Sequence, residues 1–180
     1  MDLQDFEGQD MYFNSELPPR VTELIEQAAS LYGEGDAEKP LLRAFFLAPE
    51  HLMVLVALYR FYYYQHRYQD ALFIADKAMA VTGKELTLPE DWRQLEKGHL
   101  GVASMQSMGM LRFYLLALKG AGYLNLRLGN IDAAIEILSK LVSLDEKNRL
   151  GVEMLLSIAK ERVIDNIADE SENVVRFSKG

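Results

Sequence analysis

The sequence predicts an all-α fold built from repeated helical hairpins, and three observations carry that prediction. Apolar residues recur at three- and four-residue steps along most of the chain, which is the spacing of one face of an α-helix. Glycine and proline interrupt this pattern at short intervals, so the helices are expected to be joined by short turns. Small residues also repeat at a fixed distance, since Ala37 and Ala71 are 34 residues apart, as are Ala44 and Ala78. A recurring period of this length indicates stacked copies of one helical unit.

The predicted helices follow one another in hairpin order. Prolines at 18 and 19 suit a first helical turn, glycines at 33 and 35 break the pattern, and Pro49 ends the second helix. The last helix is amphipathic and is expected to cap the final apolar face. The predicted helices cover residues 18–32, 37–48, 52–65, 69–81, 104–129 and 149–167.

The segment 115–148 gives the pattern a third time, and its core, GYLNLRLGNIDAAIEILSKLVSLDEKN, resembles the tetratricopeptide consensus closely. Gly122 stands at the small position of the first helix, Gly129 at the turn and Ala134 at the small position of the second helix. The resemblance implies an α-α superhelix of three repeats, 18–51, 52–85 and 115–148. Small residues let paired helices approach closely. In this chain they are Ala37, Ala44, Ala71, Ala78, Gly122 and Ala134.

A non-repeating insert of about 86–114 separates the second repeat from the third and is expected to divide the superhelix. It contains Trp92, the single tryptophan, which follows a helix-start signature at residues 89–91. The long helix predicted over 104–129 would overshoot its hairpin partner. That overshoot would leave Met105, Met108 and Met110 with no repeat to pack on.

The second repeat has Tyr59 at a position where the family usually has a small residue. A side chain of that size predicts looser or tilted packing of the two helices. His66 stands where the turn glycine of a repeat usually falls, so it is interpreted as a turn residue.

The domain organisation predicted from the sequence is a single helical domain over 18–168. Residues 1–17 hold five acids and no base, interspersed with aromatic residues, and are expected to form a flexible arm. The arm either stays disordered or docks its aromatic side chains on the body. Residues 169–180 are expected to be a disordered tail. The acidic N-terminus lacks the features of a secretory signal, and we expect a cytoplasmic protein.

Composition and motifs argue against several functions. A net charge of −8 and a pI near 4.9 disfavour a nucleic-acid partner, and no segment is predicted to enter a membrane. The chain has no cysteine, and its three histidines lack metal-ligand spacing. No phosphate-binding loop or nucleophile motif is present in the sequence. We therefore expect neither an enzyme nor a bound cofactor or metal.

The family resemblance implies that the first helix of each repeat lines a concave groove. The groove positions of the second and third repeats hold arginine, lysine and tyrosine, which are Arg60, Tyr63, Tyr64, Lys119, Tyr123 and Arg127. Arginine and tyrosine are enriched where protein interfaces gain most of their binding energy. The run at residues 62–64 is equally well explained as an aromatic helix wedged between its neighbours.

The leading functional prediction is a protein-interaction module, an adaptor or small chaperone-like protein that binds an acidic or apolar segment of another protein. A second predicted surface consists of Trp92, Met105, Met108 and Met110. One alternative is a structural homo-oligomer, such as a homodimer, assembled through the methionine-bearing long helix. Another is an accessory factor for the assembly of a larger complex, including a role like that of type III secretion chaperones.

Overall fold

The computed structural model describes residues 16–32 and 36–164. The arm predicted over 1–17 lies almost wholly outside these residues. The tail predicted over 169–180 and the last residues of the predicted capping helix lie outside them entirely.

The described chain is all-α, and no strand occurs within it, so the predicted fold class is confirmed. The helices are α1 (Pro19–Ser30), α2 (Glu38–Leu47), α3 (Leu52–Tyr64), α4 (Tyr68–Glu85), α5 (Lys97–Gln106), α6 (Met108–Leu128) and α7 (Ile131–Leu144). Residues 153–164 are also helical, as far as the described chain extends, and are called α8.

Local chemistry sets several helix ends. The α3–α4 turn places His66 at a φ of 57°, and the α6–α7 turn places Gly129 at a φ of 83°. Glycine adopts this left-handed region at no steric cost, whereas a histidine there is uncommon. His66 is therefore a turn residue, as the sequence predicts.

The helices pack as a chain of neighbours. α1 packs on α2, α3 on α4 and α6 on α7, which gives three hairpins. α2 contacts α3, and α4 contacts α6, so each hairpin rests on the next. The prediction that the insert divides this array is wrong, because α4 packs directly against α6. The insert helix α5 also contacts α6 but does not separate these two helices.

The helix predicted over 104–129 is interrupted at Ser107. The backbone of Ser107 is extended, with a φ of −159° and a ψ of 106°. Its hydroxyl accepts a hydrogen bond of 3.2 Å from the Met110 amide, so Ser107 ends α5 and caps the start of α6. A serine side chain satisfies one of the amides that a helix start leaves unpaired, which makes a new start stable here.

The helix-start signature at residues 89–91 also begins a shorter helical element than the sequence suggests. Asp91 accepts a hydrogen bond of 3.0 Å from the Arg93 amide and caps only one 3₁₀ turn, Trp92–Gln94. The α-helix of the insert, α5, starts later, at Lys97. Glu96 precedes it, and its backbone amide donates to the His99 ring at 3.1 Å.

Glycines on α6 allow large side chains of neighbouring helices to be buried. Tyr59 on α3 is fully buried, and a methyl group at Gly120 would lie 2.9 Å from its hydroxyl oxygen. Gly120 on α6 thus leaves room for Tyr59. The looser or tilted packing of α3 on α4 that the sequence predicts stays a prediction. A methyl group at Gly122 would lie 2.9 Å from Leu138 Cδ2 on α7. The five alanines assigned to repeat packing are buried as well.

Replacement of Gly120 by alanine is expected to lower the free energy of unfolding by about 1–3 kcal/mol, because Tyr59 has no space into which to move. The matched control is Gly109→Ala on the same helix, where an added methyl meets nothing within 4 Å. That control should leave stability unchanged or raise it slightly. Urea unfolding measures both variants.

The hydroxyl of Tyr59 is the atom nearest to the added methyl, so Tyr59→Phe should relieve part of the clash. We expect the cost of Gly120→Ala to be about 1 kcal/mol smaller in the Tyr59→Phe background. Equal costs in the two backgrounds would show that Gly120 does not make room for Tyr59.

Candidate protein-binding surfaces

Four tyrosines and one arginine meet at the edge of the molecule where the α3–α4 and α6–α7 turns lie. This turn-edge surface consists of Tyr63, Tyr64, Tyr68, Tyr123 and Arg127. The last turn of α3 supplies two of the residues, the first turn of α4 one, and the end of α6 two. The tyrosines that the sequence assigned to a groove are thus brought together from α3 and α6. Tyr68 of α4, which the sequence did not single out, joins them.

Tyr63 is the centre of the turn-edge surface. Its ring centroid lies 5.7 Å from that of Tyr64, 6.1 Å from that of Tyr68 and 6.0 Å from that of Tyr123. It also stacks on the buried Tyr59 at 6.1 Å. Aromatic pairs at these distances stabilise one another beyond the area that they bury. The exposed rings are therefore fixed by contacts that reach into the core.

Arg127 lies over this group of rings. Its guanidinium carbon is 4.6 Å from the centre of the Tyr68 ring and 5.9 Å from that of Tyr123. One guanidinium nitrogen donates a hydrogen bond of 2.9 Å to the Tyr123 hydroxyl. These contacts hold the cation in one place while Arg127 remains exposed.

The aromatic run at residues 62–64 agrees in part with each of the two interpretations that the sequence left open. Tyr62 is buried, its hydroxyl lies 3.4 Å from a Glu38 carboxylate oxygen, and Arg67 covers its ring. Tyr63 is half-buried, whereas Tyr64 is 58% exposed. The run therefore turns from core to surface within three residues.

Arg60 borders the turn-edge surface on the side of α1. Burial raises the pKa of Tyr32, and the charges of Arg60 and Tyr64 act on the same hydroxyl. The Tyr32 ring also meets Phe61 edge-on at 5.8 Å. Arg60 and Tyr64 therefore lie close enough to Tyr32, just after α1, for their charges to act on its hydroxyl.

Lys119 does not belong to this surface, and its assignment to the groove is corrected. It is 6% exposed, and its ammonium group donates a hydrogen bond of 2.7 Å to the Leu150 carbonyl. The segment before α8 is fixed further by Asp145, which accepts from the Leu150 amide at 2.7 Å. Lys119 thus fastens the chain between α7 and α8 and is not available to a partner.

The residues of the second predicted surface fall into different places. Met105 is 82% exposed and Met108 is 64% exposed, on either side of Ser107, whereas Met110 packs against the core. Met108 lines a hollow of about 430 Å³ with Leu100, Leu111 and Leu115. Trp92 lines another cleft, formed by α4, the loop that follows it and Tyr114. The two hollows share no lining residue, so the single surface predicted from sequence is two.

The structure also exposes an apolar patch that the sequence did not single out. Leu42, Phe46 and Leu47 on α2 border a hollow of about 700 Å³ together with Arg20 and Arg43. Leu42 and Phe46 are four residues apart and form a second apolar stripe on α2, beside the buried Leu41 and Ala44. This spacing was the signal in the sequence that could have revealed the patch.

No group of three or more potential metal ligands occurs in the part of the chain that the structure describes. Within the same residues no helix is long and apolar enough to cross a membrane.

Comparison with known proteins found a bacterial protein that is similar to the chain over most of its length. The chain is 52% identical over 161 residues to this protein, which is named "Uncharacterized 19.8 kDa protein in nifW 5'region" of Azotobacter chroococcum mcd 1. The match covers 89% of this chain and 90% of that protein. No family model matches the chain, and no solved structure matches it.

Tyr114, the aromatic wall of the Trp92 cleft, gives a prediction for alkaline pH. Burial raises its pKa to about 12, with a smaller contribution from the charge of Asp91. In the unfolded chain the phenol ionises near 10, so the stabilisation is fully present below that pH and is lost as pH rises towards 12.

We expect the free energy of unfolding of the wild type to fall, relative to Tyr114→Phe, by up to about 1.4 kcal/mol per pH unit above 10. Urea unfolding of both proteins between about pH 8 and pH 11.5 measures this difference. Tyr32 and Tyr62, whose pKa values are also raised by burial, are present in both proteins and cancel. Parallel curves for the two proteins would contradict the prediction.

Proposed function

The chain belongs to the same family as the nifW-region protein of Azotobacter chroococcum, and we propose that it is a non-enzymatic protein-interaction module. Its turn-edge surface binds a segment of another protein. The observation that carries this proposal is the cluster of one exposed and three half-buried tyrosines fixed around the exposed Arg127.

The proposed architecture is a tetratricopeptide-like superhelix. Three hairpins in contact order, with small residues buried between paired helices, support this arrangement. The repeat spacing of the alanines supports it independently. In such an array each hairpin contributes to one continuous surface, and the turn-edge residues come from two neighbouring hairpins.

The chemistry of the turn-edge surface suits an apolar segment that carries an acidic group. Rigid tyrosines offer large contact area at a low cost in side-chain entropy. A guanidinium has five N–H donors, of which the bond to Tyr123 uses one. The remaining donors suit a carboxylate, for which arginine forms paired hydrogen bonds.

An accessory role in the assembly of a larger complex is the version of this function that the comparison favours. The relative is named for the position of its gene in the 5′ region of nifW. We therefore propose the product of nifW as the first partner to test. We also propose a cytoplasmic location, which the absence of cysteine favours.

A second function, self-association, is favoured by the exposed methionines on both sides of Ser107. Met105 and Met108, with the exposed Val102, form an apolar patch that a second copy of the chain would cover. Methionine suits such surfaces because its side chain adapts to different neighbours.

Co-purification from the native cell, read by mass spectrometry, identifies the partner, and variants then test the turn-edge surface. We expect Tyr64→Ala and Arg127→Ala each to weaken binding of the identified partner about tenfold or more. Arg162→Ala, which removes an exposed arginine from α8, is the matched control and should bind like the wild type. If all three variants bind equally well, the turn-edge surface is not the binding site.

Light scattering over a range of protein concentrations tests self-association. We expect Met108→Glu to shift a dimer to monomer, because the new charge would be buried at the contact. Phe46→Glu is the control, since Phe46 is 86% exposed on α2 and lines a different hollow from Met108. A wild type that stays monomeric at all concentrations would remove this second function.

A further inference from the structure

The Trp92 cleft is a hollow of about 650 Å³ with largely apolar walls. Met79 and Gly83 of α4 form one side, Leu88 and Trp92 of the insert another, and Tyr114 of α6 the third. Gly83 allows the Tyr114 ring to come close, since a methyl group there would lie 3.2 Å from that ring. The cleft is thus built where the insert meets two helices of the array.

Trp92 is held in position from outside the cleft. The Arg93 guanidinium lies 4.4 Å from the centre of its indole ring. Two nitrogens of Arg93 bind the two carboxylate oxygens of Glu136 on α7, at 2.6 and 2.9 Å. Paired hydrogen bonds of this kind fix orientation as well as distance. The indole therefore forms a pre-positioned wall.

Asp76 lines this cleft, with no cationic partner among the described residues. None of the ion pairs found in the described ranges includes Asp76. The adjacent base, Lys77, directs its ammonium group to the Phe45 ring, 5.8 Å away. Lys84, which also lines the cleft, is two helical turns along α4, or roughly 12 Å.

The surroundings of Asp76 favour binding of a cation supplied by another molecule. Asp76 remains exposed to solvent, although neighbouring atoms exclude part of the water around its carboxyl and so raise its pKa. A cation placed beside a partly desolvated carboxylate would restore the interactions that water no longer supplies. Glu90 adds a second acidic side chain to the cleft lining.

We propose that the Trp92 cleft binds a cationic side chain, an arginine or a lysine, of a partner protein. The charged group pairs with Asp76, and the aliphatic stem lies along Trp92 and Tyr114. Long basic side chains pack their aliphatic stems along apolar surface while the charged end stays in contact with polar groups. The net charge of −8 favours approach of a basic segment.

This inference deepens the proposed function and rests on it, because a partner protein supplies the side chain. Its test needs no partner and is therefore independent of the turn-edge surface. Trp92 is the only tryptophan in the sequence, so its fluorescence reports directly on the cleft. The probe is Nα-acetyl-arginine amide, and its neutral counterpart of the same shape is Nα-acetyl-citrulline amide.

At constant ionic strength we expect a saturable change in Trp92 fluorescence with the arginine probe and none with the citrulline probe. Asp76→Asn should weaken binding of the arginine probe about tenfold or more, with its fold checked by circular dichroism. Asp132→Asn, which removes an exposed carboxylate from α7, should bind it like the wild type.

Three results would overturn the proposal: no saturable response to arginine, an equal response to citrulline, or unchanged binding by Asp76→Asn. Arg127→Ala is expected to leave this titration unchanged. Loss of partner binding in that variant with a normal titration would separate the turn-edge surface from the cleft.

Discussion

The close approach of α6 to its neighbours is the constraint on which the rest of the structure depends. Gly120 leaves room for the buried Tyr59 of α3, and Gly122 leaves room for Leu138 of α7. With side chains at either glycine the helices would have to separate, since interiors packed to the density of a crystal leave little slack. Because α4 also rests on α6, this one helix holds the second and third hairpins together.

Both candidate surfaces follow from that helix. On one side the buried Tyr59 stacks on Tyr63, which contacts Tyr123, so core packing continues into the exposed turn-edge rings. On the other side Tyr114 lies against Gly83 and forms a wall of the Trp92 cleft. A binding site whose side chains are fixed before the partner arrives loses less entropy on binding. The glycines of α6 and α4 are thus linked to both candidate surfaces through the rings that they position.

The sequence predicted helices and turns well because each depends on residues that are neighbours along the chain. It missed the break at Ser107, since the apolar spacing continues on both sides and only the hydroxyl marks a new helix start. It misplaced Lys119 because its partner, the Leu150 carbonyl, is distant in sequence. Tyr59 and Gly120 compensate for each other across two hairpins, and spacing within one repeat cannot reveal such a pair. The cleft at Asp76 was missed for the same reason, since Trp92 and Tyr114, which line it too, lie 16 and 38 residues further along the chain.

The insert explains the Trp92 cleft. In a stack of hairpins each apolar face is covered by the next hairpin, so a regular array leaves few enclosed hollows between helices. Here the chain leaves α4, forms the loop that carries Trp92 and the helix α5, and returns at α6 without separating α4 from α6. The insert thus adds surface beside the contact between α4 and α6 without breaking it. The hydrogen bond from Arg93 to Glu136 attaches the first part of the insert to α7. A segment fastened in this way is a fixed wall of the Trp92 cleft and not a spacer between hairpins. The place where the insert meets α4 and α6 is therefore where the described chain departs most from a plain series of hairpins.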